Sequence, residues 1–171
     1  MLCAPVILVL FIAGDDFIGL WMGPDYAGPS GDVLKILLVG YLFALSQLIA
    51  QGILKGISRH KILAYILCIE AIANLVLSVI LAPRMGIVGV ALGTAIPLIV
   101  ASVIFIPYFT CKELGLNFFN YLMKAIAHPI LVLAGVLALL TPLDIQVTTF
   151  GELVLLSILS ASVFGVYGFF F

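Results

Sequence analysis

Charge is what this sequence most lacks. Asp, Glu, Lys and Arg together make up 9% of its 171 residues, where an ordinary soluble domain carries about 25%. A soluble globule of this composition would have too few polar groups to cover its surface. Seven Lys and Arg against eight Asp and Glu leave a net charge of -1. No basic patch is available to neutralise phosphates, so nucleic acid is not an expected partner.

Cysteine and histidine are also scarce. Cys3, Cys68 and Cys111 lie in or beside apolar stretches without metal-like spacing, and isolated thiols of this kind behave as small hydrophobes. No disulfide framework follows. His128 stands beside Pro129 with no visible carboxylate or Cys partner, which gives no reason to expect a metal. Paired carboxylates in a loop, a nucleophile elbow and a phosphate loop are all missing, so neither an enzyme nor a cofactor is expected. No Lys or Arg precedes Lys35, whereas a secretory signal would open on a basic segment. The chain reads as starting inside or against a membrane span, with something expected before it.

What is present is apolar sequence, at 65% of the residues. A membrane-spanning helix needs about 20 mostly apolar residues to cross a hydrocarbon core of about 30 Å. Six stretches qualify: about 1–21, 33–54, 62–82, 87–110, 121–141 and 150–171. The expected fold is therefore an all-α polytopic bundle of about six transmembrane helices in a single domain. The first stretch is interrupted by Gly14, Asp15 and Asp16. Gly23-Pro24-Asp25 and Gly28-Pro29-Ser30-Gly31 are expected to separate the first two spans, and Pro83-Arg84-Met85-Gly86 the third from the fourth. Pro97, Pro107 and Pro129 sit within spans, where neighbouring groups must re-satisfy the freed carbonyls.

Alternating the connections across the bilayer puts Lys55, Arg59, Lys61, Lys112 and Lys124 on one side, and only Lys35 and Arg84 on the other. The side richer in Lys and Arg is expected to be cytoplasmic. Six spans then leave both termini in the cytoplasm.

Polar residues within the spans are the candidate functional groups. Glu70 is the one acid within a clean span, at a cost of roughly 2.5–3.5 kcal/mol for a charge at mid-helix. Asn74 and Ser78 follow at i+4 and i+8, on the same face. Gln47 and Gln51 form a similar pair in the second span. These stripes either line a substrate cavity, with Glu70 coupling protons or contacting sugar hydroxyls, or they join helices by hydrogen bonds. Lys55, Arg59, His60 and Lys61 form a basic inner loop. It either draws pyrophosphate and anionic headgroups to the inner surface or serves only to set topology. Gly89 and Gly93 make a small-xxx-small pair that permits close helix approach. Trp21 and Tyr26 suit the outer interface.

Three segments in register are more specific than hydropathy. The first is Phe17-Ile18-Gly19-Leu20-Trp21-Met22-Gly23-Pro24-Asp25-Tyr26, an outer loop bearing Trp, Gly and Tyr. The second is the small basic inner loop Gln51-Gly52-Ile53-Leu54-Lys55-Gly56-Ile57-Ser58-Arg59-His60-Lys61. The third is Pro83-Arg84-Met85-Gly86-Ile87-Val88-Gly89-Val90-Ala91, a turn opening the next helix. In that order they resemble the C-terminal region of polysaccharide biosynthesis proteins of the multidrug/oligosaccharidyl-lipid/polysaccharide exporter superfamily. The resemblance covers about residues 17 to 96, and the last two spans match by hydropathy only.

The resemblance implies an all-helical, multi-pass protein of a prokaryotic plasma membrane, built as one lobe of a two-lobe exporter. Such exporters flip polyprenyl-linked saccharides by alternating access, for the synthesis of cell-surface polysaccharide such as lipopolysaccharide. The implied partners are membrane lipids, a polyprenyl-linked saccharide, and an N-terminal lobe or a second copy of the chain. Two other readings stay open: a small membrane enzyme acting on polyprenyl-linked sugars, and a non-transporting accessory or scaffold fragment.

Overall fold

The computed structural model describes residues 4–127, and these are helical almost throughout. In chain order they form α1 (Ala4–Met22), α2 (Pro24–Ser46), α3 (Leu48–Gly56), α4 (His60–Val100), a π-helical turn at Ala101–Phe105, α5 (Ile106–Leu114), α6 (Phe118–Leu122) and a second π-helical turn at Met123–Ala127. No strand occurs among the described residues. The sixth predicted span, most of the fifth, and His128 with Pro129 lie outside them.

Helix α1 runs through the Gly14-Asp15-Asp16 interruption with a kink at Ala13, where φ is -107° and ψ is 17°. The long outer loop expected between the first two spans shrinks to Gly23. Helix α2 starts at Pro24 and passes straight through Pro29. A proline at the first helical position loses nothing, because that N–H has no partner in the helix anyway. Pro29 deprives only the Asp25 carbonyl, and Asp25 is exposed at the helix start. That is why these turn-forming residues do not open a loop.

Two continuous apolar runs, Pro24–Gly56 and His60–Leu114, are long enough to cross a membrane. The second doubles back. At Gly86 the backbone takes φ 60° and ψ -137°, in the positive-φ region that glycine enters without a steric cost. The reversal is shown by the hydrogen bond from Thr94 Oγ1 to Asn74 Oδ1, at 3.4 Å. In an unbroken helix those residues would stand about 30 Å apart. The limb from 60 to 85 is about 39 Å long at 1.5 Å per residue.

The chain divides into two compact units, one containing residues 1–38 and the other residues 39–130. In the second, Ala50, Leu63, Ile66, Ala101 and Ile106 form a buried core, flanked by Ile62, Phe109 and Tyr121. This core joins α3, the start of α4, α5 and α6. Much of the remaining apolar surface faces outward, including Ile49, Tyr65, Ile72, Leu75 and Val79. Water would penalise such a surface and lipid does not, so close packing rather than hydrophobic burial must hold the limbs together.

That packing is visible at Gly89 and Gly93. A Cβ added to Gly93 would lie 2.4 Å from Ser78 Oγ and 2.7 Å from the Ser78 backbone nitrogen. One added to Gly89 would lie 2.4 Å from the Leu81 carbonyl oxygen. The small-xxx-small pair is therefore the contact face of the hairpin.

Candidate functional site

Three polar environments within the helices of the second unit bear on the candidate residues. The first is a break in the first apolar run. Gln47 stands between α2 and α3 and is completely buried. The Ser46 hydroxyl donates to the Phe43 carbonyl at 2.6 Å, and the Gln47 N–H donates to Ala44 one residue short of the α pattern, at 3.1 Å. These local bonds satisfy carbonyls that the broken ladder releases. Gln47 Nε2 donates to Ser46 Oγ at 3.3 Å, and Gln47 Oε1 accepts from the Tyr121 hydroxyl at 3.0 Å. Gln51, one turn on, is half-buried.

The second environment lies inside the hairpin. Asn74 Oδ1 accepts from Ser78 Oγ at 3.1 Å and from Thr94 Oγ1 at 3.4 Å. Asn74 and Ser78 share a helix face, as their spacing requires, and Thr94 meets them from the facing limb. Here the polar stripe joins two helices.

The third environment holds Glu70. It lines a groove of about 320 Å³ between the two limbs of the hairpin, with Ile66, Ile69, Ala73, Pro97, Ala101 and three aromatic residues, Tyr65, Phe105 and Phe109. The π-helical turn Ala101–Phe105 forms part of this wall. Pro97 lies just before the turn and Pro107 just after it. A π-turn inside an α-helix often marks a functional site.

The four candidate cavity residues stand in different surroundings. Glu70 alone lines the groove, Asn74 is engaged in the hairpin, and Gln47 is held by Tyr121.

The basic residues gather at the end of the unit where α3 stops and α4 begins. Arg59 Nε donates to Glu113 Oε2 at 2.8 Å, tying the 57–59 turn to the end of α5. Lys55 and Lys61 are exposed. Ser58 turns the chain with φ 61°. At the other connection Gly115 closes α5 at φ 66°, and Asn117 caps α6 by accepting from the N–H groups of Phe119 and Asn120.

In the first unit Lys35 donates to Asp15, forming an ion pair between α1 and α2. A Cβ on Gly31 would run into the Asp15 carboxylate. In the sequence Asp15 reads as an interruption and Lys35 as a topology charge, and Tyr121, Thr94 and Glu113 do not stand out. Asp15 and Lys35 did carry a signal, since they flank the Gly23-Pro24 turn with opposite charge. Among the described residues no three His, Cys, Asp or Glu side chains come together to hold a metal ion.

Comparison with known proteins gives two relatives. Over 104 residues, 61% of this chain, it is 26% identical to the "Putative O-antigen transporter" of Shigella flexneri, covering 25% of that protein. Over 167 residues, 98% of this chain, it is 27% identical to an uncharacterized membrane protein of Methanocaldococcus jannaschii, covering 32% of it. The chain thus spans about a quarter to a third of the length of the curated relatives it matches. No family model matches, and neither does any solved structure. The two apolar helical runs and these relatives together mark a membrane protein with a distant likeness to polysaccharide transporters.

Proposed function

We propose that this chain is the C-terminal lobe of a flippase that moves a polyprenyl-linked saccharide across a prokaryotic plasma membrane by alternating access. One structural observation carries the reading. Both long apolar runs depart from regular α-helix well inside their length, at Gln47 and at the π-helical turn Ala101–Phe105, and buried or grooved polar residues sit beside these irregularities. Helices that only anchor a protein have no need to break, whereas discontinuous helices are a recurrent way for transporters to build sites and hinges. The likeness to the Shigella flexneri protein supplies the substrate class.

In this reading about six spans make the lobe, with both termini in the cytoplasm. The lobe performs no covalent chemistry. Lys55 and Lys61 stand ready for lipid phosphates on the inner surface, while Arg59 is engaged by Glu113. An N-terminal lobe or a second copy completes the central cavity, to which Gln51 and the Gln47 break contribute.

The test is deletion of the coding sequence in its own host, followed by separate assay of the two leaflets. Polyprenyl-linked saccharide should accumulate on the cytoplasmic leaflet while surface polysaccharide falls. Unchanged amounts on both leaflets would sink the proposal.

A further inference from the structure

We propose that the groove along α6, lined by Leu116, Asn117, Asn120, Tyr121, Lys124 and Ala125, is a binding site for the phosphate of an anionic membrane phospholipid. This goes beyond saccharide transport and does not depend on it, and none of these residues belongs to the Lys55–Lys61 loop. Lys124 lies within the fifth apolar stretch, about 121–141, where a cation is costly unless an anion or water meets it. The ion pairs among the described residues, Lys35–Asp15 and Arg59–Glu113, do not include it. No carboxylate lines the groove beside it. The residue is exposed, and the groove, at about 420 Å³, is as large as small-molecule sites commonly are.

The lining supplies what a lipid phosphate needs. Asn117, Asn120 and Lys124 follow at i, i+3 and i+7, on one side of α6 and of the π-helical turn that extends it. Asn117 Oδ1 already accepts from the N–H groups of Phe119 and Asn120, at 3.0 and 3.4 Å, which leaves its Nδ2 to donate. The Tyr121 hydroxyl is tied to Gln47 at 3.0 Å. Two walls are thus fixed before a ligand arrives, and less ordering opposes its binding. Two amides and an ammonium give charge-assisted hydrogen bonds to phosphate oxygens. A neutral sugar would leave the Lys124 charge unanswered, and a metal ion would meet a cation. A zwitterionic headgroup brings its own ammonium, which finds no carboxylate here. Beside this polar side Leu116, Phe119 and Met123 are exposed and offer the acyl chains an apolar surface. A free phosphate ion gains nothing from that margin, whereas a lipid does.

The delipidated full chain in non-ionic micelles should bind fluorescent phosphatidylglycerol saturably, and phosphatidylcholine roughly tenfold more weakly. Lys124→Gln should weaken phosphatidylglycerol binding roughly fivefold, Lys124→Arg should retain most of it, and Asn120→Leu should weaken it roughly threefold. Lys112→Gln removes the same charge outside the groove and should leave binding as it was. Gel filtration reports whether each variant remains folded. If Lys124→Gln is misfolded, Asn120→Leu and the comparison of the two lipids decide the matter. Equal binding of both lipids, equal losses from Lys124→Gln and Lys112→Gln, or full displacement of the lipid by inorganic phosphate would overturn the inference. A polyprenyl phosphate that binds far more tightly than phosphatidylglycerol would assign the groove to a transported lipid and overturn it as well. None of these measurements scores flipping, so the saccharide proposal stands or falls separately.

Discussion

The hydroxyl of Tyr121 donates to Oε1 of Gln47 at 3.0 Å, across 74 positions of sequence. It closes α6 onto the break between α2 and α3, at a side chain with no exposed surface. Tyr121→Phe removes the donor and leaves a buried amide oxygen unpaired, at a cost of about 1–3 kcal/mol. Gln47→Leu should cost a similar amount alone. The double variant should lose less than the two combined, because no orphan remains. Thermal stability of the four proteins in one detergent checks this, and strictly additive losses would mean the bond is not made.

The hairpin yields a sharper contrast. Gly93→Ala places a methyl group inside the backbone of Ser78, and the limbs must part, at a cost of about 1–3 kcal/mol. Gly28 has nothing within 4 Å of an added Cβ, so Gly28→Ala should be neutral. Detergent melting curves should shift for the first variant only.

The all-helical character of the described residues was legible from composition and run length, and the Pro83–Gly86 turn from its breakers. The Gly28–Gly31 cluster misled, because Pro24 at a helix start lets the chain helicise through residues that would otherwise make a loop. The break at Gln47 was not legible. No Gly or Pro marks it, and what holds it is a partner 74 residues away. Asn74 and Ser78 were visible as a stripe by periodicity, but only Thr94 on the facing limb shows that the stripe joins helices. Glu70 stood out as an acid in apolar sequence. Its aromatic surroundings come largely from a limb whose register depends on the turn at Gly86.

The Arg59–Glu113 pair places the 57–59 turn and the end of α5 at one end of the unit. With Cys3, Cys68 and Cys111 replaced, a cysteine at 58 and one at 115 should share the same protection from an impermeant thiol reagent applied to intact cells. A cysteine at 28 should be modified, in keeping with the excess of Lys and Arg on the 55–61 side. Opposite labelling at 58 and 115 would contradict the ion pair. Labelling at both with protection at 28 would reverse the orientation.

Neutralising Lys35 or Asp15 alone removes this partner from the other charge, at a cost of up to about 3 kcal/mol. Side-chain exposures of 36% and 43% place the true figure lower. Lys35→Met with Asp15→Asn should be tolerated better than either change alone. The measurement is the amount of membrane-inserted protein for each variant. A double variant as depleted as the worse single one would show that the pair does more than cancel charge.

A hairpin that reverses at Gly86, with only that residue departing from helical backbone, has no slack. Each residue inserted into or deleted from Pro83–Gly86 turns the following limb by about 100° and slides it about 1.5 Å. Gly89 and Gly93 would swing away from Leu81 and Ser78, and bulkier side chains would take their place at the seam. Elsewhere a loop can absorb a change of length at little cost. Here the spacing between Ser78 and Gly93 is itself part of the structure, and length variation among relatives should stop at this turn.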